Sequence, residues 1–210
     1  MPRGKFITFE GIDGSGKTTQ ITLLADYIRT LGYRVLILRE PGGTAISERV
    51  RQILLDMHHE NMMPETELFL FEAARAQLVR EVVEPALQKG VWVFSDRFCD
   101  STVAYQGYGR GLPLEMIRLM NGWAANGLAP DLTILIELGE RTRAGRLNKR
   151  HAGGDRDRID MESDNFMKRV CDGFRDIALH EPDRVFVVES QDSKEETAAL
   201  IRNHVRRILI

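Results

Sequence analysis

The run Gly11-Ile12-Asp13-Gly14-Ser15-Gly16-Lys17-Thr18 is where the chain most plainly carries chemistry. It fills every position of G-x-x-x-x-G-K-[ST] between an apolar strand-like run and a helical pattern, the context in which that motif cradles phosphate. Each residue type has a reason. Glycines open backbone conformations closed to other residues and let amide groups converge on an anion. The positive end of the helix starting near Lys17 adds to the same site. A lysine ammonium reaches β- and γ-phosphate oxygens. A threonine hydroxyl is a ligand for Mg²⁺, which keeps water and phosphate as most of its shell. The eight residues from Gly11 to Thr18 are therefore the expected nucleotide-binding set, with Thr18 a metal ligand.

A second cluster follows a later apolar run, where Val91-Trp92-Val93-Phe94-Ser95 leads into Asp96-Arg97-Phe98. An acid at the carboxyl end of a buried strand sits at the edge where open α/β sheets bind ligands. Asp96 can there hold Mg²⁺ through water, and Arg97 can reach a transferred phosphate. Taken alone, an Asp capping the next helix would look the same. Further on, Arg143, Arg146 and Arg150 recur at spacings of 3 and 4, on one helix face, ahead of the pair Gly153-Gly154. A basic flap over about 143–158 can close on a nucleotide, exclude water and neutralise charge growing on a phosphoryl group. Arginine forks suit phosphate oxygens better than lysine does. For any one of these arginines a solvated charged face is an equal reading.

These groups need a scaffold. Apolar runs at 6–9, 35–38, 91–94, 132–138 and 185–188 read as strands buried in a parallel sheet. Ile21, Leu24, Ile28 and Leu31 share one face of a helix that Gly32 ends. Ile46, Val50, Ile53, Leu54 and Met57 make a second stripe, and a long helical stretch over 64–89 kinks or breaks at Pro85. Ser193 and Glu196 have capping-box spacing ahead of a buried face of Ala198, Ile201, Val205 and Ile208. All these stripes are expected in the core. Alternating strands and helices predict one α/β domain over 1–210, a three-layer P-loop NTPase fold. It has a five-stranded parallel sheet flanked by helices, and a helical lid.

Composition narrows the partners. The 210 residues are 43% hydrophobic with a net charge of −2, so a dominant electrostatic pull toward a nucleic acid polymer or an anionic membrane is not expected. Cys99 and Cys171 lie far apart without metal-site spacing, which fits a reducing, cytoplasmic setting. The start, Met1-Pro2-Arg3-Gly4-Lys5, runs straight into a strand pattern, with no signal peptide or membrane span. A guanine-reading Asn-Lys-x-Asp is missing, since Asn148-Lys149-Arg150-His151 lacks the Asp, and Cys99 stands where a switch GTPase has glycine. A motor ATPase would need more chain. A small kinase fits the length, with a nucleotide-binding protein that transfers nothing as the alternative.

The residues then match a known family. The chain resembles the bacterial-type thymidylate kinases along nearly its whole length. The resemblance rests on the segment from Phe9 to Thr19, on Arg39-Glu40-Pro41-Gly42-Gly43-Thr44 and on Phe71-Glu72-Ala73-Ala74-Arg75-Ala76-Gln77. It continues through Asp96-Arg97-Phe98, Ala104-Tyr105-Gln106-Gly107, Gly109-Arg110-Gly111, Pro130-Asp131-Leu132-Thr133 and Asp157-Arg158-Ile159. It implies transfer of the terminal phosphate of ATP, with Mg²⁺, to dTMP, giving dTDP and ADP. It also implies that Phe71 stacks on thymine, Arg75 donates to a thymine carbonyl, and Thr102 with Gln106 bonds the base edge. Tyr105 would pack where a ribose 2′-hydroxyl would sit, and Asp13 would bind the 3′-hydroxyl or orient phosphate. Arg97, supported by Glu40 and Arg51, would position the acceptor phosphate. From the residues alone Phe71, beside Leu68 and Phe69, reads as core; the resemblance reverses that. Gly14 stands where some members carry an arginine, which implies Arg146 and Arg150 as the catalytic arginines, with Arg156 a substitute. A homodimer through the long helices, near Phe69 and Leu78, is also implied. The nearest rival acceptor is dUMP, because one methyl group discriminates by only about 1–3 kcal/mol. Ser190-Gln191-Asp192 is the candidate adenine-reading turn.

Overall fold

A computed structural model describes residues 2–138, 158–159 and 161–209, with the side chains of 208–209 excepted. Arg143, Arg146, Arg150 and Arg156 of the expected lid lie outside the described residues. Five strands, β1 (Phe6–Glu10), β2 (Val35–Arg39), β3 (Trp92–Asp96), β4 (Leu132–Leu138) and β5 (Val185–Ser190), form one parallel sheet in the order β2-β3-β1-β4-β5. The expected sheet is present. Central β1 is buried along its whole length, with Phe6, Ile7 and Phe9 shut off from solvent, which is why it reads as an unbroken apolar run. Its register pairs Phe9 with Asp96 of β3 and Glu10 with Leu135 of β4. The carboxyl ends of β1 and β3 therefore finish level, where the chain order reverses and open sheets bind ligands.

Helix α1 (Lys17–Thr30) covers one side, with Ile21, Leu24 and Ile28 in the main core alongside Phe9, Phe94 and Ile134. Ser193 and Glu196 cap α8 (Lys194–Leu209) as expected: the Glu196 N–H donates to Ser193 Oγ at 3.1 Å, and the Ser193 N–H to Glu196 Oε2 at 3.4 Å. Between these lie α2 (Ala45–Leu55), α3 (Pro64–Leu78), α4 (Glu84–Gln88), α5 (Cys99–Thr102), α6 (Leu114–Ala124) and α7 (Asp164–His180).

Several apolar positions are not in the core. Strand β2 is at the sheet edge, and its Ile37 is 39% exposed. Leu31 caps α1 rather than continuing its stripe and is 42% exposed. In the second stripe Leu54 is buried, whereas Ile46, Ile53 and Met57 face outward. Periodicity marks a shared face; it does not say what covers that face. The 64–89 stretch neither breaks nor kinks simply at Pro85. A π-turn (Val79–Val83) joins α3 to α4 in one uninterrupted helical run, and Pro85, which has no N–H for the ladder, follows directly after it in the first turn of α4. A second π-turn (Val103–Gly109) follows α5 and carries Tyr105 and Gln106, in keeping with the use of such turns at functional sites.

Candidate active site

The phosphate loop begins where β1 ends. Gly11 has φ 127°, and a Cβ there would lie 2.4 Å from the Ile136 carbonyl oxygen, so no side chain fits. Lys17 folds back over the loop, its Nζ donating to the carbonyls of Gly11 and Ile12, both at 3.0 Å, with Asp13 Oδ1 at 3.8 Å. Burial, aided by the Arg97 charge, pushes the ammonium down to about 8. A bound polyphosphate would add anionic charge beside this lysine and raise its pKa again. The Thr18 hydroxyl donates to Asp96 Oδ2 at 2.9 Å, bringing together the two expected metal ligands. A hydroxyl and a carboxylate are hard oxygen donors, and Mg²⁺ takes only one or two such groups when phosphates and waters complete its shell. The residues present fit that ion.

Arg97 is the pivot of the site. Its φ of 72° is left-handed, a conformation costing a residue with a side chain roughly 1–2 kcal/mol. Three hydrogen bonds hold the turn: Arg97 N–H to the Phe9 carbonyl at 2.9 Å, Ser95 Oγ to the Arg97 carbonyl at 2.8 Å, and Phe98 N–H to Glu10 Oε1 at 2.8 Å. The strained backbone turns the guanidinium back toward the phosphate loop. There it donates to the Gly11 carbonyl at 3.1 Å, Ser101 Oγ at 3.0 Å and Asp13 Oδ1 at 2.9 Å. Its carbon lies 5.0 Å from the centre of the Tyr105 ring. Glu10 is a supporting residue that sequence reasoning missed. Burial and nearby Asp100 push its carboxyl up to about 8.

Beside Arg97 opens a cavity of about 100 Å³. Every residue expected to contact the acceptor lines it: Asp13, Glu40, Arg51, Phe71, Arg75, Arg97, Thr102, Tyr105 and Gln106. Phe71 is half-buried and presents itself to this cavity, so its place is not the core. Arg75 is only 2% exposed and bonds in several directions. Its Nε reaches Glu40 Oε2 at 2.8 Å, and its Nη1 reaches Glu72 at 3.0 Å, Thr102 Oγ1 at 3.0 Å and Asn121 Oδ1 at 2.7 Å. The Glu40 carboxylate is thus engaged with Arg75, and burial raises its pKa to about 7 in spite of that arginine. Arg51 Nη1 donates to the Pro41 carbonyl at 3.1 Å, which brings it to the rim near Glu40. Pro41, Phe98 and Ile159 also line the cavity, and all lie in sequence segments that signalled the site. Leu55 and Ser101 carried no such signal. In the proposed adenine turn, Ser190 is the last residue of β5, and the Gln191 N–H caps onto Thr197 Oγ1 at 3.0 Å.

A polyphosphate cradle and a cavity with charged and aromatic walls meeting at one arginine define a P-loop nucleoside monophosphate kinase. The profile of the thymidylate kinase family matches residues 9–201. A thymidylate kinase of Geotalea daltonii is 45% identical over 206 residues, covering 96% of each chain. One from Geobacter sulfurreducens is 46% identical over 202 residues, covering 94% of each. The crystal structure of thymidylate kinase from Ehrlichia chaffeensis superposes with a TM-score of 0.78 at 34% identity, covering 98% of this chain and 99% of that one. The chain belongs to the thymidylate kinase family.

Proposed function

We propose that the chain transfers the γ-phosphate of ATP to dTMP, giving dTDP and ADP. The observation that carries this reading is the position of Arg97, which bonds the carbonyl of Gly11 in the phosphate loop while lining the acceptor cavity. One guanidinium then touches both reacting phosphates. The acceptor is already a phosphate whose second ionisation lies near pH 6, so at neutral pH it is mostly a dianion and no general base is required. Lys17 and the loop amides hold the donor, and Arg97 aligns the attacking oxygen. Catalysis is alignment and charge neutralisation. Thr18 and Asp96 would hold Mg²⁺, which supplies charge neutralisation on the β- and γ-phosphates. Arg146 and Arg150 are the lid arginines proposed to close over the transferred group.

Phe71 is the proposed platform for the thymine ring, and Arg75 and Gln106 read its edge. Tyr105 packs under the sugar beside Asp13. Phe71→Ala is expected to raise the KM for dTMP by about 5–160-fold, as loss of aromatic–base stacking of about 1–3 kcal/mol requires. Affinity for ATP should hold, and a fall in ATP affinity measured by calorimetry would misplace the two sites. The reading as a whole is tested by coupled release of ADP with dTMP, dUMP, dCMP or no acceptor. Turnover with dTMP well above the others supports it; no turnover with any monophosphate overturns it.

The setting follows from the surface. No helix among the described residues is long and apolar enough to cross a membrane. The charge and cysteine pattern is what supports a cytoplasmic enzyme. Leu78, expected near a dimer contact, is core. The outward faces of α3 and α6 instead expose Phe69, Leu119 and Trp123, the last 77% exposed. Large exposed apolar side chains gathered on adjacent helices mark an association surface. This is the proposed homodimer face. Trp123→Asp is expected to convert the dimer to monomer in sedimentation experiments at micromolar concentration, and a monomeric wild type would remove the assignment.

A further inference from the structure

Glu67 is 1% exposed and lies outside the acceptor cavity, yet it takes four donors from three side chains. Its Oε1 accepts from Gln106 Nε2 at 2.9 Å and Arg110 Nε at 3.0 Å. Its Oε2 accepts from Arg110 Nη2 at 2.9 Å and from Arg158 Nη2. Arg158 is itself fixed by a bond from its Nε to the Leu54 carbonyl at 3.0 Å. Burial alone would raise this carboxyl; Arg110, with Gln106 and Arg158, outweighs that and holds it below the usual range. An acceptor-only group of this kind dictates the orientation of the amide it meets. The NH₂ of Gln106 must face Glu67, since its oxygen there would oppose a carboxylate. Gln106 lines the acceptor cavity, so the atom left to meet a ligand is its oxygen.

We infer that Glu67 is a specificity-determining positioning residue: by locking the Gln106 amide it presents the base with an acceptor and no donor. The inference rests on the reading of this cavity as the dTMP site. Thymine and uracil carry an N–H at N3 that such an oxygen accepts. Cytosine has a lone pair at N3, which would face the Gln106 oxygen without a proton between them. Arg75 adds to the same choice, because a guanidinium can donate to the 4-oxo group of thymine but only opposes the 4-amino group of cytosine. A site built to make a hydrogen bond rejects the analogue that cannot make it far more strongly than it rejects a missing methyl. The lock therefore separates dTMP and dUMP together from dCMP, and leaves the methyl to other contacts.

Glu67→Gln tests the lock by inverting it. The oxygen of the new amide keeps Arg110 Nη2 and Arg158; its NH₂ gives up the bond from Arg110 Nε and donates to the Gln106 oxygen, which turns the Gln106 NH₂ toward the base. Expected is a fall of roughly 10²-fold in the ratio of kcat/KM for dTMP to that for dCMP, with the dCMP value rising in absolute terms. The KM for ATP should hold. A merely structural role would lower both kcat/KM values together and leave their ratio unmoved, and that result overturns the inference. Gln106→Met, which leaves Glu67 with its arginines, keeps the test open should Glu67→Gln fail to fold. The same ratio must fall in it, and an unchanged ratio is equally fatal. If wild type itself ignores dTMP, the acceptor assignment fails before either variant is measured.

Discussion

Lys17→Met is expected to lower kcat by about 10³-fold and to leave the protein folded. The magnitude is that of losing one preorganised charge at the centre where negative charge shifts between oxygens. The folding half of the expectation comes from the surroundings of Lys17. Its ammonium is buried, pushed down to about 8 mainly by that burial, and bonded to the carbonyls of Gly11 and Ile12 with Asp13 Oδ1 at 3.8 Å. A buried charge whose pKa is lowered costs the fold stability at neutral pH, so its removal offsets the loss of those two bonds. Methionine fills most of the same volume without a charge. The melting temperature is expected to stay within about 4 °C of wild type. Rapid-quench measurement of single turnovers and a thermal melt decide the matter. Turnover within tenfold of wild type would take Lys17 out of the transfer step. A collapse of the melting temperature would recast it as a structural residue.

How much of this was legible in the sequence follows from where the information resides. The phosphate loop is local: eight consecutive residues determine the turn, the amides and the lysine, and the structure adds only how Lys17 folds back. Buried strands β1, β3 and β4 were equally plain because both faces are covered and the run needs no alternation. Edge strand β2 reads almost the same, since Val35, Leu36, Ile37 and Leu38 are as apolar as a central strand, yet it lacks a neighbour on one side. The same limit applies to Ile46, Ile53 and Trp123, whose exposure depends on what packs against them. The acceptor cavity is assembled from segments far apart, and only the family likeness gathered Glu40, Phe71 and Gln106 into it. Even that likeness passed over the residues that hold the others in place. Glu10 and Glu67 do not line the acceptor cavity, and nothing in their neighbours' spacing distinguishes a buried carboxylate from a solvated one. Long-range pairing gives them their meaning: Glu10 bonds the backbone at Phe98, and Glu67 bonds Arg110 and Arg158.

Arg75→Met is expected to destabilise the protein by about 3–5 kcal/mol near neutral pH, because removing one member of a buried ionic cluster strands the rest. The cluster is Arg75 between Glu40 and Glu72, all three buried. Glu40 Oε1 and Glu72 Oε2 have no hydrogen-bond partner among the described residues, so each carboxylate already leans heavily on Arg75. Burial raises both carboxyls above the ordinary carboxylate range, Glu40 to about 7, even with the arginine in place. Without it they rise further. A carboxyl whose pKa is higher in the folded chain than in the unfolded one binds protons preferentially when folded. Its penalty is absent below the unfolded value and grows as pH climbs through the folded one. Arg75→Met should therefore melt roughly 6–20 °C below wild type at about pH 8. That gap should shrink by more than half at about pH 5, where the stranded carboxyls are protonated. Carboxylates elsewhere in the chain titrate in both proteins and cancel in the difference. Thermal melts of the pair across this range separate the ionic account from simple loss of packing, in which case the gap would be the same at every pH. The acceptor site should respond in parallel: once neutral, Glu40 and Glu72 cease to repel one another, but no guanidinium remains to meet the base. Stability returns in acid while turnover with dTMP does not, because the carboxyls need Arg75 only for its charge and the base needs it for its N–H groups.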